Sequence, residues 1–261
     1  MIDLHCHVLP GIDDGPATRE GAVALARAAA LSGASVLVAT PHVNGRYHSA
    51  PEAIARSVDE LNSHLGDVGV PVEVRPGAEI SLTRAMEMEP AELERFGLGG
   101  GPWLLVEPPF TPGAAGLEIL LGELQRRGHR IVLAHPERCP AFQRDPQMLR
   151  SLVSAGALTS LTAGSLVGRF GRDVRRFALS LVREGIVHNV ASDAHDCGAR
   201  APGIASELER AGMGPLADWL TRAVPTAILR AAEIPPRPAV ALPRRSGPRW
   251  RWSRDRLRRA S

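Results

Sequence analysis

The chain has no lysine: all 31 of its basic residues are arginine. It has no apolar stretch near the ~20 residues that a membrane span requires, and its best run, residues 22–31, is broken by Arg27. The start, Met1-Ile2-Asp3-Leu4-His5, lacks the basic lead and apolar segment of a signal peptide. Cysteine is scarce. Cys6, Cys139 and Cys197 cannot all pair internally, so free thiols and a reducing, cytoplasmic setting are expected. No internal repeat marks a solenoid or propeller. Hydrophobic residues at 44% and charged residues at 23% also exclude a disordered chain and a coiled coil.

What is left is a globular chain of 261 residues, a length normal for one α/β barrel. Its charge is unevenly placed. Residues 237–261 hold nine arginines against one acid, Asp255, a net +8. Residues 1–236 hold 22 arginines against 27 acids, a net −5. The basic balance therefore belongs to a tail, and the body is mildly acidic.

Strand and helix signals alternate along the body. Residues 35–39 form a continuous β-branched run, as a buried parallel strand should. Other strands are expected at 2–4, at 72–74 with 78–80 close behind, and at 103–106, 130–134, 157–161 and 186–191. Helices are expected at 18–31, N-capped by Thr18, and at 51–65, with Pro51 in the first turn. More follow near 114–127, 145–155, 173–184 and within 203–232. Seven strands separated by helices imply a parallel sheet, and the length favours a closed or nearly closed barrel. Pro, Arg and Ser rise from Pro235, so a single domain is expected over 1–234, followed by a flexible basic tail over 235–261.

The chemistry-bearing residues gather where these strands end. His5 and His7 follow the first strand. In extended chain they project to one side and can share a divalent ion, while Cys6 points away. Alone, such a pair also fits hydrogen-bonded surface histidines. His42, Glu79, Glu107 and His135 follow later strands, and Asp193 with His195 follows 186–191. Six of the seven expected strands thus finish in His, Asp or Glu; only 157–161 does not. In a parallel barrel those ends share one rim, where catalytic groups collect. Asp13-Asp14-Gly15 reads either as a plain turn or as a loop returning Asp14 to the cluster. Five histidines and four carboxylates exceed one zinc site and fit two or three metals. Imidazole and carboxylate without thiolate suit Mn, Fe, Zn or Co. His64, His129 and His188 read as structural, and His48 shares a loop with His42.

These motifs resemble the polymerase-and-histidinol-phosphatase (PHP) superfamily. Residues 1–7 with Asp13-Asp14-Gly15-Pro16 are similar to its bacterial manganese-dependent protein tyrosine phosphatases of capsule and exopolysaccharide systems. So are Gly77-Ala78-Glu79-Ile80, Ala134-His135-Pro136-Glu137-Arg138 and Ala191-Ser192-Asp193-Ala194-His195. The likeness runs from residue 1 to about 232. It implies a distorted (β/α)7 TIM-like barrel, the PHP fold. It also implies a trinuclear centre, Mn2+ foremost, held by His5, His7, Asp14, His42, Glu79, Glu107, His135, Asp193 and His195. Arg138 and Arg200 would hold phosphate. A metal-bridging hydroxide would attack phosphorus in line, with Asp13 or His42 as candidate acid. The implied substrate is a phosphotyrosine protein, and the implied partner, by analogy, a tyrosine autokinase of polysaccharide synthesis.

Two other activities suit the same scaffold. One is a small-molecule phosphatase, as for histidinol phosphate. The other is a phosphodiesterase or nuclease, which the acidic body disfavours. Cys139 and Arg144, five apart, miss the spacing of a cysteine phosphatase by one. The loop after His42 lacks the basic pair of some relatives. In the tail, arginines interleave with Trp250 and Trp252; this reads as contact with anionic membrane or nucleic acid, or as a solvated tail.

Overall fold

Residues 1–111 and 116–240 are described by a computed structural model. Nine strands follow in order: β1 (Ile2–Cys6), β2 (Val36–Ala39), β3 (His42–Val43), β4 (Glu73–Arg75) and β5 (Glu79–Ser81), then β6 (Trp103–Glu107), β7 (Arg130–Ala134), β8 (Leu158–Thr162) and β9 (Asn189–Ala191). All named pairings are parallel. They form a sheet of order β1-β2-β4 and another of order β3-β5-β6-β7-β8-β9.

The two sheets are parts of one ring. β3 resumes the path of β2 after Thr40-Pro41, and β5 resumes β4 after Pro76-Gly77-Ala78. Proline has no N–H for the ladder, so each strand breaks there. Gly77 suits the second break, because a Cβ would lie 2.9 Å from Val38 Cγ1. The other edges meet where Cys6 pairs with Ala194. His7 N donates to Ala194 O (2.9 Å) and Asp193 N to His5 O (2.9 Å). Counting each interrupted strand once, seven staves surround the core, as a distorted (β/α)7 barrel requires.

Between β4 and β6 the ring is filled by other groups. Asn62, on the helix Pro51–Asp67, donates to Val74 O (2.7 Å) and accepts from Val74 N (2.8 Å). The exposed edge of β4 is thus closed by a side chain in place of a strand. Buried Leu98 sits in the short turn Leu98–Gly100, whose Gly99 N donates to Pro76 O (2.6 Å). The same helix turns Ile54, Val58, Leu61 and Leu65 inward at helical spacing. Thr18 caps the helix Arg19–Leu31 by accepting from Gly21 N, a bond worth about 1 kcal/mol.

Most expected elements lie within a few residues of those observed. β9 is shorter than expected, so His188 precedes it rather than lying within it. β1 is longer and carries His5 and Cys6 inside it. The residues after 234 run along the body as far as 240. Trp219 Nε1 donates to Pro235 O (3.0 Å), and an Arg237 N–H donates to Val182 O (3.1 Å). The Arg- and Trp-rich part of the tail, 241–261, lies outside the described residues, as do 112–115, where a helix was expected to begin.

Candidate metal centre

The carboxyl ends of the staves bring the eight strand-end residues together with Asp14 from the loop after β1. Their ligand atoms fall into four overlapping groups, each within 4.8 Å: His7, Asp14, His42 and His195; His5, His7 and Asp193; His5, Glu79 and His135; and His42, Glu79 and Glu107. Glu79 is the hub. Its Oε2 lies 3.3 Å from His5 Nε2, 3.4 Å from His7 Nε2 and 3.0 Å from His42 Nδ1, and its Oε1 lies 2.7 Å from His135 Nε2. Asp193 Oδ1 stands 3.6 Å from His5 Nε2 and 3.7 Å from both His7 Nε2 and His195 Nδ1. Asp14 bridges the outer histidines, 3.5 Å from His42 Nε2 and 3.3 Å from His195 Nε2. Its side chain is 46% exposed, whereas Glu79 is buried, so the cluster runs from interior to rim.

Local sequence explains this convergence. At the end of β1, His5 and the following His7 point inward together while Cys6 turns to Ala194 O (3.8 Å) and takes no part. The loop Asp13-Asp14-Gly15 folds back beneath His7, where only glycine fits: a Cβ on Gly15 would stand 2.3 Å from His7 O. His135 and Asp193 hold φ values of 29° and 52°, a left-handed conformation that strains residues with a Cβ. Ser160 O fixes His135 N and His5 O fixes Asp193 N, so the neighbouring staves hold both residues there.

Asp13, one of two candidate acids beside His42, contacts His7 Nδ1 through Oδ2 (2.6 Å), which also accepts from His42 N (3.0 Å), while its Oδ1 accepts from Gly15 N (2.9 Å). Burial would raise its pKa, but these partners bring it down to about 2. Asp13 is therefore a positioning residue that orients His7 from below.

Arg138 donates to Asp193 Oδ2 (2.8 Å), and Arg200 donates to Asp193 Oδ1 (2.6 Å). Arg200 Nε is buried without a hydrogen-bond partner. Arg138 also lies 4.3 Å from the ring centroid of Phe170 and 5.1 Å from that of Phe110, within cation–π range.

Sequence reasoning passed over a supporting layer. Asp3 accepts from Ser192 Oγ (2.5 Å), Ser192 N (3.0 Å) and His5 N (3.3 Å), tying the two ligand strands together. Glu137 is buried, pushed up to about 7 by that burial, and accepts from Ser165 Oγ (2.6 Å) and Thr162 N (3.0 Å). Thr162, ending the one stave without an ionisable terminus, points its hydroxyl at Asp193 Oδ2 (3.4 Å). Asp3 and Glu137 both stood inside the quoted motifs, and the signal was an acid one or two residues from a ligand. Among the described residues, His48, His64, His129 and His188 join none of the four groups.

The donor set fits divalent cations. Glu79 Oε2, His42 Nδ1, His135 Nδ1 and His195 Nε2 are buried without hydrogen-bond partners. Four carboxylates face two guanidiniums, which leaves excess negative charge at the centre. The groups also displace one another's titration. Burial lowers His7, but its hydrogen bond to Asp13 and the nearby Glu79 carboxylate carry it up to about 10. Burial and the His7 charge push His195 down to about 3. Burial and the Glu79 charge push Glu107 up to about 8. Cations among these lone pairs would relieve the conflict.

The chain is similar to known proteins over most of its length. The family model for capsular polysaccharide synthesis, CpsB/CapC, matches residues 1–212. The tyrosine-protein phosphatase YwqE of Bacillus subtilis (strain 168) is 39% identical over 201 residues, covering 77% of this chain and 79% of the relative. The tyrosine-protein phosphatase CpsB of Streptococcus pneumoniae is 26% identical over 210 residues, covering 77% and 86%. A solved structure from work on those two proteins, described as unique metal-dependent tyrosine phosphatases, superposes with a TM-score of 0.81. It is 36% identical to this chain and covers 92% of it and 100% of the solved chain.

Proposed function

We propose, because this chain belongs to the CpsB/CapC family of capsular polysaccharide synthesis proteins, that it is a metal-dependent protein tyrosine phosphatase. The observation that carries the reading is the meeting of nine ligand-type side chains beside two arginines that converge on Asp193. Its substrates are phosphotyrosine proteins, and we name a tyrosine autokinase of polysaccharide synthesis as the partner that makes them. We assign the metals to His5, His7, Asp14, His42, Glu79, Glu107, His135, Asp193 and His195, in two or three positions. Manganese is our first choice, with iron, zinc and cobalt suited to the same ligands. We place the reaction in the cytoplasm, where the unpaired thiols of Cys6, Cys139 and Cys197 stay reduced.

Divalent ions held by these residues would acidify water to a nucleophile near neutral pH and neutralise phosphoryl oxygens. The protein's own groups supply orientation. Asp13 accepts from His7 Nδ1–H, so Nε2 is the nitrogen that faces the cluster. Asp193 holds Arg138 and Arg200 by one N–H each, leaving their other N–H groups for phosphate oxygens. Two guanidiniums aimed in advance bind a dianionic group with little reorganisation. The leaving oxygen is a phenol of pKa near 10, so departure needs less help from an acid than an alcohol would.

The test is a substrate panel with Mn2+: a phosphotyrosine peptide, histidinol phosphate and a bis-aryl phosphodiester. Peptide turnover lost in chelator and restored by Mn2+ is expected. Hydrolysis of histidinol phosphate without the peptide would select the small-molecule reading instead. Turnover that survives chelation would remove the metals from the reaction.

A further inference from the structure

Beside the ligand cluster lies an apolar cleft that the metal chemistry does not use. It has a volume of about 250 Å3, and its lining includes Leu82, Pro109, Phe110, Leu117 and Leu120, with Glu107 as the wall shared with the cluster. We propose that this cleft receives the aryl ring of the phosphotyrosyl group, with Phe110 as the specificity-determining residue. The inference rests on the phosphatase reading and adds the part of the substrate that the cleft takes.

Position is the first argument. Arg138, assigned to phosphate, lies 5.1 Å from the Phe110 ring centroid. Phe110 also stacks on His135, with ring centroids 5.4 Å apart and planes tilted by 24°. A phosphoryl group at Arg138 therefore has Phe110 at its flank. The ring of a tyrosyl phosphate is bonded directly to the ester oxygen, so it must lie immediately beyond the phosphoryl group. Glu107 from the cluster and Phe110 beside Arg138 both line the cleft, so the cleft is the apolar space adjoining that flank.

Size and surface agree. A cavity of about 150 Å3 lined by apolar side chains admits one benzene ring. A cleft of about 250 Å3 thus holds a phenyl ring and the start of the side chain carrying it. Five large hydrophobic side chains are exposed among the described residues, and two of them, Phe110 and Leu120, line this cleft. Phe110 is 43% exposed and Leu120 36%. Burying exposed apolar atoms against an aromatic ring gains free energy. A phosphoserine or small alkyl phosphate has no group that makes that contact.

The test uses Mn2+-loaded protein and two non-hydrolysable probes, phenylphosphonate and methylphosphonate, with affinities measured by calorimetry. The wild type should bind the phenyl compound about tenfold tighter or more. Phe110→Ala and Leu120→Asn should each shrink that ratio, Phe110→Ala the more. Leu120 lies on the surface of the helix Leu117–Arg126, so its variant keeps the fold. Phosphotyrosine turnover with a phenyl-to-methyl ratio near one would overturn the cleft and leave the phosphatase standing. A large ratio unchanged in both variants would also overturn it, by placing the ring elsewhere. So would peptide affinity that follows an apolar neighbour of the phosphotyrosine while the ratio stays near one. Absence of phosphotyrosine turnover, with neither phosphonate bound, would strike the phosphatase reading itself.

Discussion

β8 and β9 carry a buried polar network at each end, and the two networks differ in what they leave unpaired. At the amino ends, Ser160 Oγ donates to Asn189 Oδ1 (2.5 Å), and Asn189 Nδ2 donates to Leu220 O (2.9 Å). Thr159 Oγ1 donates to Ile186 O (2.6 Å), and Thr159 N to His188 Nδ1 (3.2 Å). None of those side-chain atoms is among the buried orphans, although Trp103 Nε1 and His129 Nε2 are orphaned near the amino ends of β6 and β7. At the carboxyl ends, Glu79, His42, His135, His195, Glu137 and Arg200 each keep a buried nitrogen or oxygen without a hydrogen bond. A buried unpaired polar atom is costly, so it persists where a ligand completes it. The closed end holds the staves together, and the open end keeps its polar capacity for what it binds.

Removing the hub should separate the two ends most sharply. Glu79→Gln takes a charge from the side chain that faces His5, His7, His42 and His135. Phosphotyrosine turnover should fall by about 10^3-fold or more, since metal chemistry supplies the nucleophile. Elemental analysis should find less bound manganese, while the metal-free variant still unfolds cooperatively. Wild-type metal content with turnover intact would show that Glu79 is not the hub.

The converse change lies at the closed end. Asn189→Ala strands Ser160 Oγ and Leu220 O and leaves a small void, at a cost of about 2–4 kcal/mol. Urea unfolding should show that loss. The kcat/KM per folded molecule should stay close to wild type, because Asn189 sits at the opposite end of its stave from Asp193 and His195. Lost turnover without lost stability would break the distinction between the ends.

Much of the open end was legible in sequence, because a parallel barrel turns a one-dimensional pattern into a rim. His42, Glu79, Glu107 and His135 could be read there from their places after apolar runs alone. Asp14 could be favoured over Asp13 as the ligand, but not the contact of Asp13 with His7, which depends on how closely the loop at Gly15 approaches His7 O. The supporting acids Asp3 and Glu137 stood two residues from a ligand, but that spacing does not reveal their role, because their partners are backbone N–H groups and hydroxyls. Phe110 was silent because a single aromatic beyond a strand becomes part of a site only through packing on His135 and Arg138. The breaks that split two staves at Pro41 and Pro76, and the filling of the gap by Asn62, were not read from the sequence.

The smallest effect belongs to His188, at the closed end. Its Nδ1 accepts from Thr159 N, so the ring must be neutral at that nitrogen. Burial pushes its pKa down to about 4 from an ordinary 6.5. The unfolded chain binds a proton below about 6.5, whereas the folded one resists until about 4, so acid favours unfolding between those values. The contribution is whole above pH 6.5 and is lost as pH falls toward 4, on the order of 1–3 kcal/mol. His188→Gln keeps an acceptor for Thr159 N and has nothing to titrate. Urea unfolding of both proteins in chelator at pH 7 and pH 4.5 isolates the effect, since their shared carboxylates cancel. The wild type should lose more stability than the variant on acidification. Equal losses would mean that protonation of His188 is tolerated, and that the closed end is less tightly closed than its hydrogen bonds imply.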